Sequence, residues 1–195
     1  MLFLIALSAR ADVSQPSLDR PTHAFEVVAV LPDPIDRVWE IMAVDYGRIA
    51  ESHPQIVRSD YVHGALEGGL GVERSCWFSD SGSRQLHEQI VSWRPDDHTF
   101  GNRILDAKGF PIDPDNTLAT YRLEAVDPDH TRVRLQMEYR TAPAMMGGLM
   151  KGAFRKLFEQ YLVAVHGHLA TGQPVNRDTY RAVAEAHGDE VVFER

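Results

Sequence analysis

The run Thr131-Arg-Val-Arg-Leu-Gln-Met-Glu-Tyr-Arg-Thr141, with the segment that follows it to Ala170, decides the fold. Within the run, Val133, Leu135, Met137 and Tyr139 alternate with Arg132, Arg134, Gln136, Glu138 and Arg140. Period-two alternation of this kind marks a strand with one buried and one wet face. The period then changes. From about Pro143 to Ala170, the residues Met146, Leu149, Met150, Ala153, Leu157, Tyr161 and Ala164 recur at helical spacing, while Lys151, Arg155, Lys156 and Glu159 lie largely off that stripe. Gly172, with Pro174 two residues on, supplies the stop. A sheet with one apolar face needs a cover, and this helix is the only segment long enough to be one.

Upstream, the chain reads as a series of strands: Gln55–His63, Leu70–Ser79, Arg84–Trp93, Thr99–Ala107 and Thr117–Val126. The breaks carry turn residues, among them Gly68-Gly69, Asp80-Ser-Gly82, Pro95-Asp-Asp97, Pro111 to Asn116 and Asp127-Pro-Asp129. Connections this short join antiparallel neighbours, because parallel strands need long crossovers. An opening strand, with Phe25, Val27 and Ala29 on one face, ends at Pro32. Asp33 is expected to cap the next helix, with Pro34 in its first turn, and Ile35, Val38, Trp39 and Met42 give that helix an apolar face. A second short helix covers Tyr46 to Glu51, before Pro54. The expected fold class is therefore α+β: six or seven antiparallel strands curled around a long C-terminal helix, with two short helices after the first strand. Residues 23–172 form this domain, residues 1–22 an N-terminal extension, and residues 173–195 a polar tail with one short helix around Thr179–Ala186.

The chain has 195 residues, a net charge of −8 and a single cysteine, Cys76. The acidity argues against nucleic acid, whose phosphates need clustered Lys and Arg. A lone cysteine allows no internal disulfide and no cysteine-based metal cluster. No stretch approaches the ~20 apolar residues of a membrane span. Leu2–Leu7 is apolar and Ser8-Ala9-Arg10-Ala11 has the shape of a cleavage site, but the basic start of a secretory signal is missing. The reading is cytoplasmic, with export as the alternative if Leu2–Ala11 ends a longer signal peptide. His166 and His168 are two apart on a helix and point in different directions, and His53, His63, His87 and His98 show no ligand spacing, so no metal is expected. There is no Gly-x-Ser-x-Gly elbow, and Gly64 to Gly71 lies between strands rather than before a helix, so no cofactor is expected either. Nothing in the sequence sets the oligomeric state.

The segment His87-Glu-Gln-Ile-Val-Ser-Trp-Arg-Pro-Asp-Asp-His-Thr-Phe100, the opening Pro32-Asp-Pro-Ile-Asp-Arg-Val-Trp39 and the closing amphipathic helix together resemble the helix-grip START/birch-pollen-allergen-like (SRPBCC) superfamily. That superfamily includes START lipid-transfer domains, polyketide cyclase/dehydrase-like proteins and plant abscisic-acid receptors. The resemblance spans about residues 23–171 and implies an internal cavity for an apolar ligand. Two departures set the chain apart from the hormone receptors. His53-Pro54-Gln55 stands where they carry a ligand-pairing lysine, and Asp80-Ser-Gly-Ser83 replaces their Pro/Leu-rich gate loop.

In the Leu70–Ser79 strand Val72, Arg74, Cys76 and Phe78 share a face, which the resemblance turns inward. The same argument turns Leu86, Glu88 and Ile90 inward, then Phe100, Asn102 and Ile104, then Tyr121 and Leu123. The expected ligand wall is Arg74, Cys76, Phe78, Glu88, Ile90, Asn102, Ile104, Tyr121, Leu123, Leu135 and Met137, closed by Met146, Met150, Phe154 and Leu157 of the helix. Arg74 and Glu88 are the candidates for catalysis. Inside an apolar cup they either orient a ligand head group or move a proton on it, or else they satisfy each other. Asn102 and Tyr121 offer neutral hydrogen bonds, and Met145, Met146 and Met150 an adaptable wall. The first functional expectation is non-covalent sequestration or transfer of an apolar small molecule or lipid. The alternative is a polyketide cyclase- or dehydratase-like reaction, with Glu88 as acid/base and Arg74 or Tyr121 stabilising an oxyanion. A third reading, a partner-binding module, requires an exposed apolar patch near the loops after Ser79 and Asp106.

Overall fold

The computed structural model describes residues 22–194. The expectations for the N-terminal extension, including the signal-like Leu2–Ala11, lie outside these residues. Eight strands follow one another as β1 (His23–Leu31), β2 (Arg58–Tyr61), β3 (Glu73–Trp77), β4 (Gln85–Arg94), β5 (Thr99–Lys108), β6 (Thr117–Asp127), β7 (His130–Tyr139) and β8 (Val192–Glu194). The helices are α1 (Ile35–Trp39), α2 (Gly147–Thr171) and α3 (Tyr180–His187). The strands form one antiparallel sheet in the order β2-β3-β4-β5-β6-β7-β1-β8. β2 to β7 are the expected meander. β1 then returns along β7 with Val27 opposite Leu135 and Ala29 opposite Val133, so both strands turn their apolar residues to the same face.

That face is the concave one, and α2 lies across it, packed mainly on β1. Alternation in β7 is as expected: Val133, Leu135, Met137 and Tyr139 are buried and the residues between them are not. No helix among the described residues is long and apolar enough to cross a membrane.

Three details differ from the sequence reading. The C-terminal segment supplies an eighth strand, in which Val192–Glu194 pairs with Val28–Val30, and it buries Val175 and Val191. Local polarity hid this, because a three-residue edge strand needs little apolar signal. Asp33 does not cap α1. Pro34 takes the cap position in extended conformation, and the Asp33 carboxylate instead reaches His166 at 2.7 Å. A five-residue helix has little dipole to reward a cap, whereas a buried imidazole rewards an acceptor strongly.

The apolar stripe of α2 is also displaced from the expected one. Tyr161 and Ala164 are buried as expected, but Leu149 is 83% exposed and Ala153 is exposed, while Phe154, Leu162, Val165 and Leu169 are buried instead. From Tyr161 to Gly167 every residue is buried, because α3 covers the outer side of this half. Gly167 permits that approach, since a Cβ there would overlap Val183 of α3.

Candidate functional site

Between the sheet and the N-terminal half of α2 is a cavity of about 80 Å³. The sheet contributes Leu86, Glu88, Asn102, Ile104, Thr117, Ala119, Tyr121 and Met137. Phe154, Leu157 and Phe158 of α2 form the roof, and Phe78, Phe110 and Ile112 close the side. The lining is apolar except for Glu88, Asn102, Thr117 and Tyr121.

The polar floor follows from strand register. Arg74 on β3 stands directly opposite Glu88 on β4. Arg74 Nε donates to Glu88 Oε2 at 2.9 Å, and Arg74 Nη1 donates to the Tyr46 carbonyl at 2.9 Å. The guanidinium also lies 3.9 Å from the centre of the Tyr46 ring. Burial is the largest influence on Arg74 and works against its charge, but the adjacent Glu88 carboxylate and the neighbouring Tyr46, Cys76 and Tyr121 side chains together outweigh it and hold the guanidinium firmly protonated. Glu88 Oε1 accepts from Asn102 Nδ2 at 2.8 Å, and Cys76 Sγ lies 3.6 Å from Glu88 Oε2. Breaking a buried pair of this kind by removing one partner costs about 3–5 kcal/mol, because the other charge is stranded.

Because a carboxylate only accepts, Nδ2 must be the Asn102 atom that faces Glu88. Asn102 Oδ1 is then turned away, buried and without a hydrogen-bond partner. Tyr121 stacks on Phe100 with ring centres 4.3 Å apart. Burial pushes its phenol well above the ordinary tyrosine range, so it stays a neutral hydroxyl. Burial likewise pushes the Cys76 thiol far up, which removes it as a nucleophile.

His53 lies beside this network. Its Nδ1 accepts from the backbone N–H of Gln55 at 3.1 Å and of Ile56 at 3.3 Å, and its ring packs 5.3 Å from that of Tyr161. Burial, with the positive charge of Arg74, lowers its pKa to about 3, so the imidazole is neutral.

Of the residues expected from sequence, Phe78, Glu88, Asn102, Ile104, Tyr121, Met137, Phe154 and Leu157 face the cavity. Arg74 lies behind Glu88, and Cys76, Ile90, Leu123 and Leu135 are packed into solid core. Met150 is half-buried against the core and Met146 is half-buried, and neither lines the cavity. The expectation missed Thr117 and Ala119, which share a face with Tyr121 by simple alternation, and Phe158, one turn beyond Phe154. It also missed Phe110, just before the Pro111–Asn116 segment read as a turn, and Ile112 within it. The loop after Ser79 is polar, its serines bonding one another, and the loop after Asp106 turns Phe110 into the cavity. The apolar rim required of a partner-binding module is therefore not built there.

Residues 22–171 match the model of a family described as polyketide cyclase / dehydrase and lipid transport. A search of curated proteins by sequence finds no significant match. Solved structures similar to this fold include Ara h 8.0201, at 18% identity and TM-score 0.64, covering 77% of this chain and 99% of that one. The major latex-like protein 151 of Panax ginseng is similar at 13% identity and TM-score 0.63, with 75% and 97% covered. The di-domain ARO/CYC BexL from the BE-7585A biosynthetic pathway is similar at 16% identity and TM-score 0.60, with 76% of this chain and 46% of BexL covered. At these identities the likeness is one of fold.

Proposed function

The chain belongs to the polyketide cyclase/dehydrase and lipid transport family, and on that premise we propose that it binds an apolar small molecule or lipid carrying a hydroxyl or similar donor. The observation that carries this reading is the pair of acceptors at a largely apolar cavity, Glu88 and Asn102, whose Oδ1 is unpartnered. A buried acceptor left unsatisfied costs about 1–3 kcal/mol, so a ligand that donates to it gains roughly tenfold or more over one that does not. A ligand carboxylate set against Glu88 would meet another acceptor-only group and is disfavoured there.

The cavity is small. Its 80 Å³ is about half the ~150 Å³ that admits benzene into an engineered core. Binding a lipid-sized molecule therefore requires the N-terminal half of α2 to lift. Proton transfer by Glu88 has less support, because both its oxygens already accept from Arg74 and Asn102.

The test is displacement of an environment-sensitive dye by an alkane, a primary alcohol and a carboxylate of equal chain length. The alcohol is expected to bind best, and Asn102→Leu to erase its advantage over the alkane. Equal affinity of alcohol and alkane for the unaltered protein, or no binding of any of the three, would defeat the assignment.

A further inference from the structure

A second cluster lies outside the cavity, where the β1–α1 corner, α2 and the end of α3 meet. The His166 side chain, 4% exposed, has Nδ1 2.7 Å from Asp33 Oδ2 and Nε2 3.0 Å from Glu190 Oε2. The other Glu190 oxygen is 3.1 Å from His187 Nδ1. His166, His187 and Glu190 each offer a ligand atom, all within 4.8 Å of one another. His187 and Glu190 share a turn at the end of α3, and His166 comes from the buried half of α2.

We infer that His166, His187 and Glu190 form a binding site for a divalent first-row cation of the Zn²⁺ type, which fastens the C-terminal segment onto α2. Two imidazoles and a carboxylate are a donor set suited to Zn²⁺. Asp33 supplies the feature that separates a built site from a chance cluster. Its buried carboxylate takes the Nδ1–H of His166 and fixes the ring so that Nε2 faces Glu190, to which Nε2–H donates when no cation is present and from which a cation would displace that proton. A carboxylate behind a histidine is the usual support of a metal-ligating imidazole.

The distances fit as well. Tetrahedral ligands with bonds near 2.0–2.1 Å stand about 3.3 Å apart. The separations to Glu190 are 3.0 Å at one oxygen and 3.1 Å at the other, and all the ligand atoms lie within 4.8 Å, so His187 and Glu190 must re-aim by up to about 1.5 Å to share one ion. The side chains that must shift, His187 and Glu190, are 28% and 49% exposed, and solvent can fill a fourth position. Without a cation the same groups are held by hydrogen bonds, so the fold does not depend on occupancy. What the cation adds is a direct link between α2 and the turn that leads into β8, closing the C-terminal segment against β1.

The test uses the full, tag-free chain stripped with EDTA and exchanged into clean buffer. It is titrated with ZnCl₂ by calorimetry and with CoCl₂ by visible absorption. One cation per chain is expected, with the d–d bands of tetrahedral Co²⁺ and a melting temperature that rises with free Zn²⁺. His187→Ala and Glu190→Gln, both at partly exposed side chains, should each weaken binding ~10-fold or more while melting like the unaltered protein in EDTA. His187→Cys should keep the site and add a thiolate-to-cobalt charge-transfer band. His130→Ala, at an exposed histidine paired with Asp127, should change nothing. No saturable 1:1 binding up to ~100 µM ZnCl₂, or binding indifferent to His187→Ala, overturns the assignment.

Discussion

Along α2, residues 147–160 and residues 161–171 belong to one continuous helix but occupy opposite environments. The first half touches the sheet through Phe154, Leu157 and Phe158 over a cavity, and its outer face is bare at Leu149, Lys151, Gly152 and Ala153. The second half is buried from Tyr161 to Gly167, enclosed by the sheet and α3 and tied at His166. At its start the helix is held by a latch. The Tyr139 hydroxyl donates to the Gly147 carbonyl at 2.6 Å, and the Tyr139 ring packs 5.0 Å from that of Phe154. Most packing energy therefore sits at one end, and the space for a ligand sits under the other. If the first half lifts, the second can stay in place, because the fully buried residues from Tyr161 to Gly167 hold it.

The same substitution in each half gives the largest contrast. Leu162 is fully buried, so Leu162→Ala leaves a void in close-packed core and should cost about 2–5 kcal/mol. Leu157 is half-buried at an existing cavity, so Leu157→Ala should cost less, about 1 kcal/mol, and should increase uptake of an apolar dye. Urea unfolding measures both costs. Equal losses at the two positions would mean that α2 is uniformly packed and has no hinge.

This division was only partly legible in the sequence. Alternation sorted the residues of each strand into two faces, because a strand's period is fixed at two, and the family resemblance turned the faces with Glu88, Asn102, Ile104 and Tyr121 inward. The helix stripe was read less well. Its burial depends on α3 and on Val175 and Val191, which arrive from a segment with no apolar period of its own. Asp33 was misassigned for the same reason, since its partner His166 is 133 residues away and no local pattern joins them. Cavity and core residues were equally hard to separate, because Leu135 and Met137 carry the same periodic signal and only the curl of the sheet decides which one meets empty space.

His53 gives a pH test of the boundary between the two halves, because its ring packs on Tyr161, where burial of α2 becomes complete. Its folded pKa of about 3 lies below the ordinary value of 6.5. Between those two pH values the unfolded chain binds the extra proton and the folded chain does not. Stability therefore rises with pH across this window, and the contribution is lost as pH falls below about 6.5, by at most ~1.4 kcal/mol per unit for one group. His53→Gln keeps an acceptor for the Gln55 and Ile56 amides and should remove that slope. The measurement is the difference in unfolding free energy between the two proteins at pH 7 and pH 5. An unchanged difference would mean that His53 is solvated in the folded state.

The smallest effect should come from stiffening the half of α2 that moves. Gly148 and Gly152 interrupt it, and a Cβ at either position would meet nothing within 4 Å. Alanine at each should therefore gain about 0.5–1 kcal/mol of helix stability without touching the cavity wall. If the N-terminal half lifts to admit ligand, raising the cost of bending it should slow both uptake and release of a bound dye and leave its affinity almost unchanged. Stopped-flow mixing separates these quantities. Unchanged rates in a stabilised Gly148→Ala/Gly152→Ala protein would move the gate away from α2, to the Phe110–Ile112 side of the cavity, where the wall is loop rather than helix.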